Sequence, residues 1–453
     1  MRISVDAGVR EALALMQCRR EAASRVDHRQ VWEACMDSTH PELSPAGGHR
    51  SDSSLPHAHR RSARRHRVRL RTESGALRAI AALLAQADVR IDGERPWDMQ
   101  IHNPETAERI LAQGSLGLGE AYMDGWWDCP RLDEFFLRVL QARLDEKVGT
   151  TSLLVQGLRA RLFNLQNLRR AWQVGEAHYD IGNDFFEAML DGHMAYTCAY
   201  WGSGAKTLEE AQTAKLDLIC RKLGLRPGMR LLDIGCGWGS LMKFAAEHYG
   251  VSCVGLTISR EQAAHGSERC HGLPVEFRLS DYREFSPLRD ERFNRVASVG
   301  MFEHVGRKNH HAFFAAARRS LPADDTDALF LLHTIGKNLR RIPTDPWIDR
   351  YIFPNGDLPA LGQIADSAEN DFIIEDVHNF GADYDQTLMA WHARFEEAWP
   401  RFAERYGERF RRMWRYYLLA CAGTFRARTT QLWQIVMSPT GVPGGYRRPA
   451  DHV

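Results

Sequence analysis

From about Glu176 onward the chain alternates short apolar runs with amphipathic stretches, the pattern of strands and helices taken in turn. Arg230 to Ile234, Val251 to Leu256, Val275 to Leu279, Phe293 to Val299 and Leu329 to Thr334 read as strands, with Phe372 to Val377 and Leu432 to Met437 as late ones. Helices are predicted from Thr207 through Leu223, from Gly239 to Tyr249 and from Ser259 to Cys270. A long helical stretch rich in Trp, Phe, Tyr and Arg runs from Gln386 to Arg428. Thr207 and Glu210 have the spacing of a capping box, which fixes where the first of these helices opens. Strand and helix in alternation predict an α/β fold with a doubly wound parallel sheet.

Upstream the pattern turns helical. Leu77, Ile80, Leu83 and Leu84 share one helical face, a short extended piece follows at Val89 to Ile91, and Leu116 to Trp127 forms an aromatic stretch broken by glycines. Residues 71–148 therefore read as a small mixed α/β domain, 149–175 as a helical connector, 176–440 as the main domain and 441–453 as a tail. Residues 1–70 differ: Ser, His, Pro, Gly and Arg displace large apolar residues, and seven arginines crowd between Arg60 and Arg71. Such a segment buries too little to offset its ordering entropy and is expected to be a disordered basic extension. Two readings of it stay open, an arm drawn to anionic headgroups or nucleic acid and a plain non-folding extension.

Composition narrows the class. A length of 453 residues exceeds one ordinary core. A net charge of +1 gives no overall pull toward nucleic acid, so steering has to come from local patches. No apolar run reaches the roughly 18 residues that span a bilayer, and no cleavable leader pattern opens the chain, so a cytoplasmic protein is expected. The nine cysteines are scattered and contain no C-x-x-C pair, which argues for reduced thiols and against a disulfide framework or a zinc knuckle.

The sharpest local signal is Asp233-Ile-Gly-Cys-Gly-Trp-Gly239, between a strand and a helix. Ligands of doubly wound sheets bind at the carboxyl ends of the strands, and glycines there let backbone approach them closely. The spacing is not the dinucleotide G-x-G-x-x-G, and the next strand ends Gly255-Leu-Thr257 without the acidic residue that would hold a nicotinamide ribose. S-adenosylmethionine fits this loop better. Asp281, after the third strand, is placed to accept from an adenine amino group.

Six ordered motifs then identify a resemblance: Ala195-Tyr-Thr-Cys-Ala-Tyr-Trp201, the glycine loop, Gly300-Met-Phe-Glu-His-Val-Gly306, Leu332-His-Thr-Ile-Gly336, Phe380-Gly-Ala-Asp-Tyr384 and Ala420 through Arg428. Over about residues 75 to 440 the chain resembles the cyclopropane-fatty-acyl-phospholipid synthases, relatives of the mycolic acid cyclopropane synthases. The resemblance implies a Rossmann-like class I methyltransferase sheet, and the N-terminal segment tilts the substrate toward ordinary phospholipid. It implies a cofactor site, opened by Asp233, that is lined by Tyr196, Thr197, Gly235, Gly237, Thr257, Gln262, Asp281 and Tyr282. It also implies a bicarbonate ion caged by Cys198, Glu303, His333, Ile335 (through backbone) and Tyr384, with Cys421 as a lining residue of unsettled role. No metal is implied. A homodimer is expected only by the same analogy.

An unactivated alkene is a poor nucleophile, so a strong electrophile has to be pressed against it in a dry, aromatic-lined slot. Tyr351, Phe353, Tyr384, Trp391 and Tyr417 are candidate lining. Ring closure needs a proton acceptor within hydrogen-bond reach, the role given to bicarbonate. The expected activity is methylene transfer from S-adenosylmethionine to the cis double bond of an unsaturated phospholipid acyl chain. Methylation of an acyl chain or an amine without ring closure is the alternative, and a non-catalytic lipid-binding relative a third. Peripheral binding to the inner face of the membrane is expected, through basic surface near Arg340 and Arg341 or from Arg409 to Arg415, unless those charges are simply solvated helix faces.

Overall fold

A computed structural model of the chain describes residues 74–147, 181–287, 291–340 and 342–450. The basic extension, the connector and Arg341 lie outside the described residues, as does the end of the tail.

In chain order the elements are α1 (Gly75–Gln86), β1 (Gln100–Ile101), α2 (Thr106–Gln113), α3 (Ser115–Met123), β2 (Trp127–Asp128), α4 (Leu132–Gln141), α5 (Leu144–Lys147), α6 (Asn183–Met189), α7 (Leu208–Lys222), β3 (Arg230–Ile234), α8 (Ser240–Tyr249), β4 (Ser252–Thr257), α9 (Arg260–Arg269), β5 (Val275–Leu279), β6 (Arg295–Val299), α10 (His310–Ser320), β7 (Leu329–Lys337), α11 (Pro346–Tyr351), α12 (Leu361–Ala368), β8 (Ile373–Asn379), α13 (Asp383–Ala398), α14 (Ala403–Arg426) and β9 (Thr430–Ser438).

The main sheet has the order β5-β4-β3-β6-β7-β9-β8. Its first five strands are parallel, while β9 inserts antiparallel to both β7 and β8. The strands read from the sequence are present to within three residues at each end, and this is the class I methyltransferase arrangement. Chain order reverses between β3 and β6, so the crevice that binds ligands in doubly wound sheets falls beside the glycine loop. The Thr207 capping box forms as read, with Oγ1 accepting from the Glu210 N–H at 3.2 Å and Glu210 accepting from the Thr207 N–H at 3.3 Å.

The extended piece Val89 to Ile91 contributes one isolated bridge, from Ile91 to Met99, and the small sheet is β1 with β2. Two expectations are corrected. Gly117 and Gly119 do not break the Leu116 stretch but lie inside α3 and thin it for packing, and the break comes only at Gly125 (φ 72°), past the end of α3. A Cβ on Gly117 would meet the Arg109 carbonyl oxygen at 2.4 Å, and one on Gly119 the Trp347 indole at 2.3 Å. The long helical stretch is two helices. It breaks around Pro400, which offers no N–H to continue the ladder, and α14 bends again at Gly407 (φ 72°).

Among the described residues the buried side chains form three clusters. Two sandwich the sheet, one with α7 and α8, the other with α10 and α12. The third joins Ile80, Leu84, Trp127 and Phe135 of the N-terminal segment to Trp391, Trp414, Tyr416 and Tyr417 of α13 and α14. Each such side chain contributes about 1.5–3 kcal/mol of burial. Arg426 adds ion pairs from α14 to Asp133 and Glu134 of α4, both at 2.8 Å, and another to Asp385 of α13.

Candidate active site

The site begins where β3 ends. The N–H groups of Gly235 and Cys236 donate to the Leu256 carbonyl at 2.9 and 3.0 Å, which pins the turn against β4. Gly235 (φ 83°), Gly237 (φ 54°) and Gly239 (φ 81°) occupy the left-handed region that side chains resist. A Cβ on Gly235 would strike Met301 at 2.5 Å, whereas one on Gly237 would meet no protein atom within 4 Å. Open space over a left-handed glycine is the cradle that a ligand lying against backbone requires.

A cavity of about 1340 Å³ opens over this turn. Tyr196, Thr197, Asp233, Gly235, Gly237, Thr257, Gln262, Asp281 and Tyr282 all contribute to its wall, so the residues read as the cofactor set are brought together. Thr257 donates to Gln262 Oε1 at 3.2 Å, and Ser259 caps α9 by accepting from the Gln262 N–H at 3.2 Å. Asp281 is clamped by its neighbour, accepting from Arg283 N, Nε and Nη2 at 2.9, 2.8 and 2.7 Å. A carboxylate has about four lone-pair sites, so this clamp orients Asp281 and leaves capacity for a further donor.

Sequence reasoning missed Lys215. It lies on the buried face of α7 with Leu208, Ala211 and Ile219, a spacing legible in the sequence, and is 1% exposed. Its Nζ donates to Thr197 Oγ1 at 2.8 Å and it forms part of the cavity wall. Burial lowers its pKa to about 8. The Asp233 carboxyl, also buried, is pushed up to about 7 against the opposing pull of Lys215, and its Oδ1 has no partner. One cation and one unsatisfied acid thus face the space over the turn, polar ends suited to an amino-acid moiety.

Glu303, Ile335, Tyr384 and Cys421 line the same cavity. Glu303 follows β6 in a short 3-10 turn, where Oε1 accepts from the Ile335 N–H at 2.6 Å. Its Oε2 is buried with no partner. Burial pushes this carboxyl up to about 7, opposed by the Ile335 N–H. Tyr384 packs on Phe425 (ring centroids 4.6 Å) and burial holds its phenol far above the ordinary range. Burial pushes the Cys421 thiol up to about 12, so it is not a thiolate at neutral pH.

Two residues of the expected cage do not reach the wall. Cys198 is fully buried and donates to the Ala199 carbonyl at 3.2 Å, while His333 is 1% exposed and bonded through Nδ1 to Gln434 at 3.2 Å. Thr197, next to Cys198, and Ile335, two residues along β7 from His333, do reach it. Of the aromatic candidates, Phe353, Tyr384 and Tyr417 face the cavity. Tyr351 and Trp391 do not. The Tyr351 hydroxyl donates to Glu120 at 2.8 Å, and Trp391 lies against Tyr196 with centroids 5.1 Å apart.

The N-terminal segment adds the apolar side chains of Ile80, Leu84, Met99, Phe135 and Val139 to the same wall. At its edge Leu339 and Ile342 are each 43% exposed. Arg340 beside them pairs with Asp366 at 2.6 Å. The arginines from Arg409 to Arg415 are not a free basic surface: Arg409 pairs with Asp124, Arg411 and Arg415 with Glu396, and Arg412 with Asp128. Among the described residues no helix is long and apolar enough to cross a membrane.

Comparison with known proteins agrees with this geometry. A family model described as mycolic acid cyclopropane synthetase matches residues 166–435. The cyclopropane-fatty-acyl-phospholipid synthase of Escherichia coli (strain K12) is 55% identical over 368 residues, which cover 81% of this chain and 94% of that protein. Among solved structures, the cyclopropane synthase MmaA2 from Mycobacterium tuberculosis is 34% identical with a TM-score of 0.54, covering 59% of this chain and 98% of its own. Mycolic acid cyclopropane synthase CmaA1, complexed with SAH and CTAB, is 35% identical with the same TM-score and coverage. The conclusion is direct: this chain belongs to the cyclopropane-fatty-acyl-phospholipid synthase family of S-adenosylmethionine-dependent enzymes.

Proposed function

We propose that the chain adds a methylene from S-adenosylmethionine across the cis double bond of an unsaturated phospholipid acyl chain, with bicarbonate as proton acceptor. The observation that carries this reading is one cavity whose wall joins apolar side chains of the N-terminal segment to the glycine turn, with an unpartnered Glu303 oxygen in it. The E. coli relative is a synthase of cyclopropane fatty-acyl phospholipids by name, and a solved relative is complexed with SAH and CTAB, an adenosyl thioether and a long-chain amphiphile.

When bound, S-adenosylmethionine supplies an electrophilic methyl and bicarbonate an acceptor for the proton that ring closure releases. The protein supplies the rest. The glycine turn and Gln262 form the cofactor cradle, with Lys215 and Asp233 at its polar end. Tyr384, Tyr417 and Phe353 exclude water and turn aromatic faces to charge developing on the acyl chain. Glu303, fixed through Oε1 by the Ile335 N–H, keeps Oε2 as an acceptor for the hydroxyl of the anion, and the phenol of Tyr384 offers it a donor. Cys198 and His333 complete the cage from one layer further in. The exposed Leu339 and Ile342 at the cavity edge support peripheral seating on a membrane, through which an acyl chain is drawn from the bilayer.

The test incubates the protein with methyl-labelled cofactor and vesicles of unsaturated phosphatidylethanolamine. The expected product gains one CH2, loses its alkene protons and shows upfield ring protons by NMR. A saturated methyl branch or a methylated amine would refute ring formation, and turnover unaffected by rigorous bicarbonate removal would refute the acceptor.

A further inference from the structure

One polar row crosses the antiparallel edge of the sheet. Register places His333 of β7 opposite Gln434 of β9, and Gln434 opposite His378 of β8. Directly paired residues of adjacent strands project to the same face, so the three side chains line up, on a face where β9 otherwise presents Leu432 and Val436. Lys222, from the last turn of α7, ends the row. Its Nζ lies 2.9 Å from Gln434 Oε1 and 3.0 Å from His378 Nδ1, while Gln434 Nε2 lies 3.2 Å from His333 Nδ1. Lys222, Gln434 and His333 are each no more than 1% exposed.

Donor and acceptor chemistry leaves this row one arrangement. A lysine ammonium only donates, so the Gln434 atom facing it is the oxygen, and the amide NH2 is turned toward His333. An amide NH2 also only donates, so His333 Nδ1 accepts and carries no proton. Burial, reinforced by the charges of Lys215 and Lys222, disfavours the imidazolium. The ring is therefore neutral with its proton on Nε2. That nitrogen is the one left buried without a partner in the structure.

We infer that Lys222 and Gln434 are positioning residues that lock His333 as its Nε2–H tautomer, so that the ring, one layer behind the cavity wall, presents its unpartnered nitrogen to the bicarbonate site as a donor and not as a lone pair. The inference deepens the bicarbonate reading and rests on it. The opposite tautomer would aim a lone pair at an anion, turning attraction into repulsion in a buried setting where an unmade hydrogen bond is costly.

The test is 15N NMR of the full chain labelled at histidine, with the His333 signals assigned by their loss in His333→Gln. The expected spectrum shows a bare Nδ1 and a protonated Nε2. A proton on Nδ1 in the unaltered protein overturns the proposal whatever the Gln434 variant does. In Gln434→Glu a carboxylate replaces the amide donor, so the proton is expected to move to Nδ1 and turnover to fall roughly 10- to 100-fold, the worth of a hydrogen bond to a charged group. A moved proton with unchanged turnover also overturns the proposal. Bicarbonate titrated into the unaltered protein should shift the His333 Nε2 signal. If Nε2–H is present but no shift occurs, it is the bicarbonate reading that fails, and the tautomer assignment survives it.

Discussion

Glu303→Gln separates the chemistry of the site from its shape. Glutamine keeps one oxygen for the Ile335 N–H, which glutamate now accepts at 2.6 Å, and puts an NH2 where the unpartnered Oε2 stands. Volume and packing are unchanged; what disappears is one buried acceptor and its charge. A hydrogen bond to a charged group is worth about 1.5–3 kcal/mol, so turnover should drop roughly 10- to 150-fold. Cofactor affinity should hold, because Glu303 is not among the residues assigned to the cofactor. Stability should move the other way. Burial raises the folded-state pKa from 4.5 to about 7, so between those values the folded chain binds more protons than the unfolded one, and stability falls as pH rises through that window. Above it the penalty approaches about 3 kcal/mol, at 1.36 kcal/mol for each unit. Glutamine does not titrate, so the variant should match the parent near pH 4 and outlast it at pH 8. Turnover on unsaturated vesicles, cofactor calorimetry and denaturant melts at the two pH values measure all three effects. Full activity would refute the role given to Oε2, and an identical pH dependence of stability would refute the buried, pKa-raised carboxyl.

Lys215→Met should weaken cofactor binding more than tenfold by calorimetry, because it removes the donor to Thr197 and the charge opposing protonation of Asp233. Gly235→Ala should cost at least about 1–2 kcal/mol from its positive φ alone, with the Met301 clash added, read as a lower melting midpoint and lost cofactor affinity. Cys421→Ala should stay within about threefold of parental turnover, since burial keeps the thiol protonated at neutral pH and the proposed step draws on no thiolate. Gly119→Ala should destabilise by about 1–3 kcal/mol through overpacking against Trp347, detectable by denaturant melts.

The sheet was legible because its strands are short apolar runs with clean edges, and the glycine turn because three left-handed positions at alternate residues leave few other residues possible. Most residues read as the cofactor set come together because they sit at or just after strand ends, which the topology of a doubly wound sheet delivers to one place, while Tyr196 and Thr197 reach it from the segment ahead of α7. What escaped was whatever depends on distant partners. Gly117 and Gly119 looked like helix breakers until Arg109 and Trp347 explained why α3 has to be thin there. Tyr351 and Trp391 looked like cavity lining, yet local sequence carries no hint that Glu120 and Tyr196 occupy them. The Arg409–Arg415 charges looked like a surface because their acidic partners lie far off in sequence or on another helix. Lys215 is different. Its helical spacing with Leu208 and Ala211 signalled burial, and a lysine on an apolar face was itself the clue.

The aromatic cluster that ties α1 and α4 to α13 and α14 means that the N-terminal wall of the cavity and the helices carrying Tyr384 and Cys421 are built as one packed unit. Heating should dissolve both in a single cooperative step, with the Arg426 ion pairs giving way in that same step. Any lineage that dispensed with the N-terminal segment would have had to resurface those helices at the same stroke.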